Sequence, residues 1–127
     1  MIDHITFGVS DFDRSAAFYD AALAPLGLGR VMEMSRAETG GAGVIGYGDH
    51  RPFFWIAGAD ATRGRLHIAL AAKDRATVDA FYKAAIAAGG TDNGGPGLRP
   101  HYHPGYYGAF VLDPDGHNIE AVCHTPE

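Results

Sequence analysis

The stretch Arg65-Leu66-His67-Ile68-Ala69-Leu70-Ala71-Ala72-Lys73-Asp74 decides the fold, because the chain opens with a version of it. That opening reads Asp3-His4-Ile5-Thr6-Phe7-Gly8-Val9-Ser10-Asp11. In both copies a histidine begins a short strand-like run, and an aspartate seven residues later precedes a run with helical spacing. The repetition predicts a duplicated architecture, and the two histidines suggest where the chemistry lies.

A constant offset of 63 residues relates the two copies, and it extends beyond the opening strand. The informative matches at that offset are His4/His67, Ile5/Ile68, Asp11/Asp74, Phe18/Phe81 and Tyr19/Tyr82. Coincidence of composition is the alternative explanation, and it accounts better for the alanine matches than for these. Two copies do not make a solenoid, so we interpret them as a duplicated supersecondary unit.

Length and composition suit one domain over residues 1–127, with module 1 at about 1–60 and module 2 at about 64–124. The net charge of −5 and the lack of a basic stripe argue against a nucleic-acid partner. No apolar stretch approaches the roughly 20 residues that span a bilayer, and no signal peptide is visible. The lone Cys123 excludes an internal disulfide and fits a reducing cytoplasm.

Hydrophobic periodicity predicts the same order of elements in both halves. Residues 3–9 alternate as a strand, and Ser10 with Asp13 predicts a capped helix from about residue 11 to Pro25 and Gly27. The second half repeats this order, with a strand at Leu66–Ala72 and a helix at Asp74–Ala88. The other predicted strands are Leu28–Met34, Gly43–Tyr47, Pro52–Ala57, Tyr106–Leu112 and Asn118–His124. Each half is therefore strand, helix and about three strands, an α+β class with helices on the outer face of a curved sheet.

A candidate metal site follows from three side chains. His4 and His67 each lie on the small-residue face of a predicted strand, and Glu120 interrupts an otherwise apolar strand. A buried carboxylate needs a partner. Two imidazoles and one carboxylate form the facial triad of Fe(II) sites and also suit Mn, Ni or Zn, with coordination positions left open. The alternative is that the histidines are polar strand-end residues and that Glu120 belongs to a salt bridge.

Further candidates crowd one aromatic, histidine-rich segment. As possible acids, bases or substrate-orienting groups we single out His101, Tyr102, His103, Tyr106 and Tyr107. Arg99 can bind an anionic substrate, and Phe54 with Trp55 can line an apolar wall. The segment can instead be a loop that caps the core, and Phe53–Trp55 can be mostly core. His117 and His124 are expected at the surface.

Taken together, these residues resemble the vicinal oxygen chelate superfamily, which includes glyoxalase I, bleomycin-resistance proteins, fosfomycin-resistance thiol transferases and extradiol dioxygenases. The resemblance spans nearly the whole chain in family order and rests on three blocks: Asp3–Asp11 with Arg14-Ser15 and Phe18-Tyr19, then His67-Ile68-Ala69, and finally Ala109–Gly116 with Asn118-Ile119-Glu120. It implies two βαβββ modules related by a pseudo-twofold and forming a cupped mixed sheet around a metal.

By position, the resemblance makes His4, His67 and Glu120 the metal ligands. Many family members share modules between subunits, which implies a homodimer with the site at or near the interface and His4 contributed by the other chain. Glyoxalase I has a further ligand, a glutamate on the last strand of module one. The matching stretch here, Pro52–Ile56, has no carboxylate, which argues against lactoylglutathione lyase activity.

Two functions are compatible with this sequence. The first is a metal-dependent enzyme whose small substrate chelates the divalent ion through adjacent oxygens, as a lyase or isomerase, a thiol transferase or a dioxygenase. The alternative is a metal-free protein that binds a small molecule or drug, as the bleomycin-resistance proteins do. The retained triad favours the first, and the aromatic wall is what favours the second.

Overall fold

A computed structural model describes residues 1–35, 38 and 43–125 of the chain. The chain divides into two compact units, Met1–Arg63 and Gly64–Glu127. That the two units constitute a single domain stays a prediction. Within the described residues, no helix has both the length and the apolar character needed to cross a membrane.

Unit 1 is a βαβββ module, as predicted. It contains β1 (Ile5–Gly8), α1 (Phe12–Leu23), β2 (Gly29–Met34), β3 (Val44–Gly48) and β4 (Pro52–Ala57). The strand order is β1-β4-β3-β2, with β1 parallel to β4 and the other pairs antiparallel. A parallel first and last strand requires a crossover connection, and α1 lies on that connection.

The ends of α1 have identifiable causes. Asp11 is the N-cap, and its Oδ1 accepts a hydrogen bond from the Arg14 N–H at 3.1 Å. The predicted cap of Ser10 with Asp13 is therefore wrong by one residue, because the short aspartate side chain reaches the third residue on. At the other end, a 3-10 turn at Ala24–Leu26 leads into Gly27, whose φ of 78° is the left-handed conformation that glycine favours.

The core of unit 1 is a cluster of aromatic rings contributed by the helix and the sheet. Phe7, Tyr19, Tyr47 and Phe54 have almost no exposed surface and meet mainly edge to face at centroid separations of 5.1–6.4 Å. This geometry is preferred by aromatic quadrupoles. The alternation predicted for residues 3–9 is confirmed, since Phe7 and Val9 are buried while Thr6 is exposed.

Unit 2 follows the same plan with one departure. It contains β5 (His67–Ala71), α2 (Arg75–Ala87), β6 (Thr91–Asp92), β7 (Gly97–Leu98), β8 (Tyr107–Leu112) and β9 (Asn118–Cys123). The order is β5-β9-β8, and both two-residue strands pair with β8. The glycine-rich loop between β6 and β7 splits what would be one strand into two. With a helix and a mixed sheet in each unit, the α+β class is confirmed.

The two faces of the unit 2 sheet differ in character. Ile119, Ala121 and Cys123 point to the face covered by α2 and are completely buried. The opposite face carries Ala69 and Phe110, which pair in register with Glu120 from either side. Because side chains alternate along a strand, this second face positions the candidate site.

Candidate functional site

Glu120 is a completely buried carboxylate in the middle of the unit 2 sheet. Its strand, β9, lies between β5 and β8, so water does not reach it from either edge. Both oxygens nevertheless have partners. Oε1 lies 2.8 Å from Nε2 of His67, and Oε2 accepts a hydrogen bond from the hydroxyl of Tyr106. These contacts offset the cost of burying the charge.

His67 connects this buried carboxylate to solvent. It is the first residue of β5, and 54% of its side chain is exposed. Parallel pairing of β5 with β9 places Ala69 beside Glu120, and the small alanine leaves the histidine ring room to reach the carboxylate. The imidazole is 6.2 Å from the Phe110 ring, between centroids. The imidazole of His67 is therefore accessible to solvent, while its Nε2 contacts Oε1 of the buried Glu120.

Tyr106 holds the other oxygen of Glu120. Burial, and then the hydrogen bond to Glu120, raise the pKa of the Tyr106 hydroxyl well above its usual range, so it stays a donor at neutral pH. Gly108 makes the contact possible. A Cβ at position 108 would lie 3.1 Å from the Tyr106 ring and 3.3 Å from Glu120 Oε2.

The histidine-rich segment packs around Tyr106. The rings of Tyr102, His103 and His124 lie 4.9–5.4 Å from the Tyr106 ring, each at a steep angle to it. His103 also stacks on His124, with Nε2 and Nδ1 2.5 Å apart. His101 contacts Tyr102 at 4.2 Å between centroids, and Tyr102 is 56% exposed. The segment therefore covers Tyr106 and leaves Tyr102 open to solvent.

Tyr107 does not join this group, contrary to its assignment as a possible catalytic residue. Its hydroxyl donates to Asp79 on α2 at 2.7 Å, and the Arg75 guanidinium lies over its ring. Adjacent residues of a strand point to opposite faces, so Tyr107 faces the helix while Glu120 faces away from it. We correct the assignment accordingly.

A pocket of about 410 Å³ opens beside His67. It is lined by His67, Asn93, Gly94, Arg99, Tyr102, Phe110 and Asn118. Arg99 and Tyr102 thus lie at the same pocket as His67, and their role in binding a substrate stays a prediction. Asn118 and Phe110 were not predicted from the sequence. Asn118 lies two residues before Glu120 on β9, and Phe110 pairs with Glu120 across β8 and β9, so both side chains share the face of Glu120.

In unit 1, His4 is exposed and oriented by a short chain of polar contacts. Its Nδ1 lies 2.7 Å from Asp3 Oδ1, and the Arg51 guanidinium contacts Asp3 Oδ2 at 2.6 Å. The hydrogen bond from His4, and then that from Arg51, lower the pKa of the Asp3 carboxyl. The second ring nitrogen, Nε2, is left for another ligand. Metal-ligating histidines commonly have such a carboxylate on the other nitrogen.

The two residues proposed for an apolar wall differ. Phe54 has no exposed surface and lies in the aromatic core of unit 1, which is the core alternative for this stretch. Trp55 points the other way on β4, is half-buried and lies over Gly46, where a Cβ would approach the indole to 2.8 Å. Only Trp55 therefore has surface that a ligand can contact.

His117 is a second correction, because it is completely buried rather than at the surface. Its Nδ1 accepts from the Leu66 N–H at 3.0 Å, and its own backbone N–H donates to Asp113 Oδ1 at 2.9 Å. The polar turn at Asp113–Gly116 suggested exposure. Instead, the side chain folds under the start of β5 and ties it to β9. His124 is exposed, as expected.

The donor atoms of unit 2 fit a metal ion in part. His67 Nε2 and Glu120 Oε1 converge to 2.8 Å, close to the roughly 3 Å between neighbouring ligands of one ion at metal–ligand distances of about 2.0–2.2 Å. Over residues 1–35, 38 and 43–125 of one chain, no three His, Cys, Asp or Glu side chains cluster so as to hold a metal. Unit 2 by itself thus brings together two candidate donor atoms.

Comparison with known proteins places the chain among related folds. The family model for the Glyoxalase/Bleomycin resistance protein/Dioxygenase superfamily matches residues 1–121. The glyoxalase/bleomycin resistance protein of Albidiferax ferrireducens T118 is 34% identical, with a TM-score of 0.75 over 95% of this chain and 96% of that one. No curated protein matches the chain significantly.

Two enzymes share the fold at lower identity. The lactoylglutathione lyase of Agrobacterium tumefaciens is 20% identical, with a TM-score of 0.69 over 97% of this chain and 92% of that one. Glyoxalase I of Zea mays is 19% identical, with a TM-score of 0.72, and the match covers 99% of this chain and 45% of that one.

Proposed function

Because the chain belongs to the Glyoxalase/Bleomycin resistance protein/Dioxygenase superfamily, we propose that it is a metal-dependent enzyme acting on a small substrate. The substrate would chelate the metal through two adjacent oxygens. One observation carries the proposal: a completely buried carboxylate, Glu120, is held against the open imidazole of His67. The lone buried thiol of Cys123 supports a reducing cytoplasm as the location.

His67 and Glu120 would supply two ligands, and His4 of a second copy of the chain would supply the third. Support for His4 comes from its Asp3 partner, which fixes the ring and leaves Nε2 available. Sharing ligands in this way makes the homodimer the active form. The donor set suits Fe, Mn, Ni or Zn.

When bound, the ion would act as a Lewis acid that polarises the two substrate oxygens. The chain's own residues have separate roles. Tyr106 fixes the orientation of Glu120 and remains protonated, so the carboxylate keeps one position during turnover. Tyr102 lines the pocket and His101 contacts the Tyr102 ring, so Tyr102 can orient the substrate and His101 can carry protons to or from it. His103 positions Tyr106.

The reaction we favour is not that of lactoylglutathione lyase. Strand β4, Pro52–Ala57, contributes no carboxylate, so a second metal-site glutamate of the kind expected for glyoxalase I is missing. A thiol transfer, an oxygen insertion or another isomerisation stays compatible with two histidines and one glutamate.

Elemental analysis of protein purified without a polyhistidine tag tests the proposal. We expect a bound divalent metal in the native chain and its loss in both His67→Ala and His4→Ala. Substituting residues that hydrogen-bond to metal ligands typically lowers metal affinity by roughly 10–100-fold, and the loss of a ligand itself should lower it further. His50→Ala removes an exposed histidine of unit 1 and is the matched control. Metal retained in both ligand variants, at the level of the control, would refute the site.

A metal-free binding protein is the second candidate, and the pocket beside His67 is the observation that favours it. Its volume of about 410 Å³ suits a small ligand. Under this function, ligand-induced stabilisation would be the same with and without chelator and would be unchanged in Glu120→Gln, whereas the metal-dependent function requires both to weaken it.

A further inference from the structure

Arg99 lies at the wall of the pocket, where its guanidinium group packs against the backbone of three glycines. It lies directly after β7, and its guanidinium donates to the Gly95 carbonyl at 2.8 Å. A Cβ at either Gly94 or Gly97 would approach a guanidinium nitrogen to 3.2 Å. The absence of side chains at these positions lets the arginine fold back against the sheet, and a φ of 133° makes Gly94 difficult to replace.

None of the described carboxylates neutralises the charge of Arg99. Among the residues that the structure describes, no carboxylate pairs with its guanidinium, which instead lies 5.3 Å above the Phe110 ring. One guanidinium contact is made with a carbonyl, so most of its five N–H donors stay available. A half-buried cation stacked on an aromatic ring is a fixed donor group with unused capacity.

The residues that line the pocket carry a net positive charge. Its seven residues include Arg99 but no aspartate or glutamate, in a chain whose net charge is −5. Asn93, Asn118 and Tyr102 add neutral polar groups, and the Asn118 Oδ1 is buried without a hydrogen-bond partner among the described residues. A cationic pocket in an acidic chain favours an anionic ligand.

We propose that the substrate of this pocket carries a carboxylate, which pairs with the Arg99 guanidinium while the reacting end of the molecule faces His67. The assignment rests on the proposed function, because it places the anion beside the metal ligand. The planar fork of arginine matches the two oxygens of a carboxylate and gives charge-assisted hydrogen bonds. Arg99 is thus a specificity-determining residue.

Calorimetric titration with 2-hydroxybenzoate and its neutral counterpart 2-hydroxybenzamide tests the assignment. We expect the native protein to bind the carboxylate at least about tenfold more tightly than the amide. Arg99→Met should remove this preference, and Arg99→Lys should keep only part of it, since lysine retains the charge without the fork. Arg63→Met changes an exposed arginine outside the pocket and should leave both affinities unchanged.

A second variant guards against misfolding of the Arg99 variants. Asn118→Asp keeps the side-chain shape but adds a negative charge to the lining, so it should weaken the carboxylate and spare the amide. The assignment would be overturned if the native chain bound both probes equally well, or if it bound neither of them up to about 10 mM. An Arg99→Met effect no larger than that of Arg63→Met would also overturn it. The carboxylate assignment would also be overturned, in favour of a phosphate ligand, if inorganic phosphate displaced 2-hydroxybenzoate far better than acetate does.

All titrations are run in chelator, so their outcome does not depend on metal binding. Metal content of the same variants is measured separately, and Arg99→Met should leave it unchanged. A protein that is purified without metal but shows the Arg99-dependent preference in chelator would refute the metal site alone. A protein that is purified with metal but shows no such preference in chelator would refute the carboxylate alone.

Discussion

The hydrogen bond from Tyr106 to Glu120 can be removed with little change of shape by Tyr106→Phe. Glu120 has no exposed surface, so water cannot replace the lost donor without opening the sheet. Hydrogen bonds to charged groups contribute about 1.5–3 kcal/mol, against about 1 kcal/mol for neutral pairs. We therefore expect Tyr106→Phe to lower the free energy of unfolding by about 2 kcal/mol.

Urea unfolding followed by far-UV circular dichroism measures this loss. The midpoint should fall with an unchanged m value, because the change removes one contact and not the compactness of the chain. Tyr82→Phe is the matched control, since its hydroxyl donates to Asp92 at 3.0 Å in an exposed position and surface changes usually stay within about 0.5 kcal/mol. A loss for Tyr106→Phe no larger than that of the control would refute the idea that Glu120 depends on this donor.

Three further predictions concern neighbouring features. Gly108→Ala should cost about 1–3 kcal/mol by crowding Tyr106 and Glu120 Oε2, whereas Gly29→Ala, with nothing within 4 Å of its new Cβ, should be near neutral in the same urea assay. Phe54→Ala should destabilise by about 3–5 kcal/mol as a core truncation, and calorimetry showing an unchanged melting temperature would contradict its burial. Burial raises the pKa of both Tyr106 and Tyr47. The stability they contribute is therefore complete below the unfolded tyrosine pKa of about 10 and is lost as pH rises above it. Urea midpoints between about pH 9 and 11 should fall less steeply in Tyr106→Phe than in the native chain, and parallel slopes would exclude this linkage.

The elements of this fold are predictable because their signals are local. The strand predicted at Pro52–Ala57 has those bounds in the structure, and the helix expected at Asp74–Ala88 is α2 with Asp74 as its cap. Alternation and capping depend on residues a few positions apart, which a single sequence displays. The contact of His67 with Glu120 was also within reach, because parallel pairing of the first and last strands of a module follows from the crossover.

The finer arrangement of the site depends on register, which the sequence does not display. Tyr106 and Tyr107 are equivalent as residues, yet one meets Glu120 and the other meets α2, because a shift of one position reverses the faces of β8. In the sequence, Gly108 indicates only a weak position in a strand. Its role in leaving room for Tyr106 and Glu120 depends on which residues lie next to it across the sheet. His117 follows a polar turn, and its burial depends on the distant backbone of Leu66.

The contact between His67 and Glu120 joins residues 53 positions apart. Closing a loop of that length costs conformational entropy before any contact compensates for it, so such pairs belong to the slow, topology-limited part of folding. During synthesis, β5 and α2 emerge first, and the carboxylate arrives only with β9. A ligand that needs both groups can therefore bind only chains whose unit 2 has closed, and its presence shifts the equilibrium towards that state. The number of sites filled at saturating ligand therefore cannot exceed the number of chains whose unit 2 has closed.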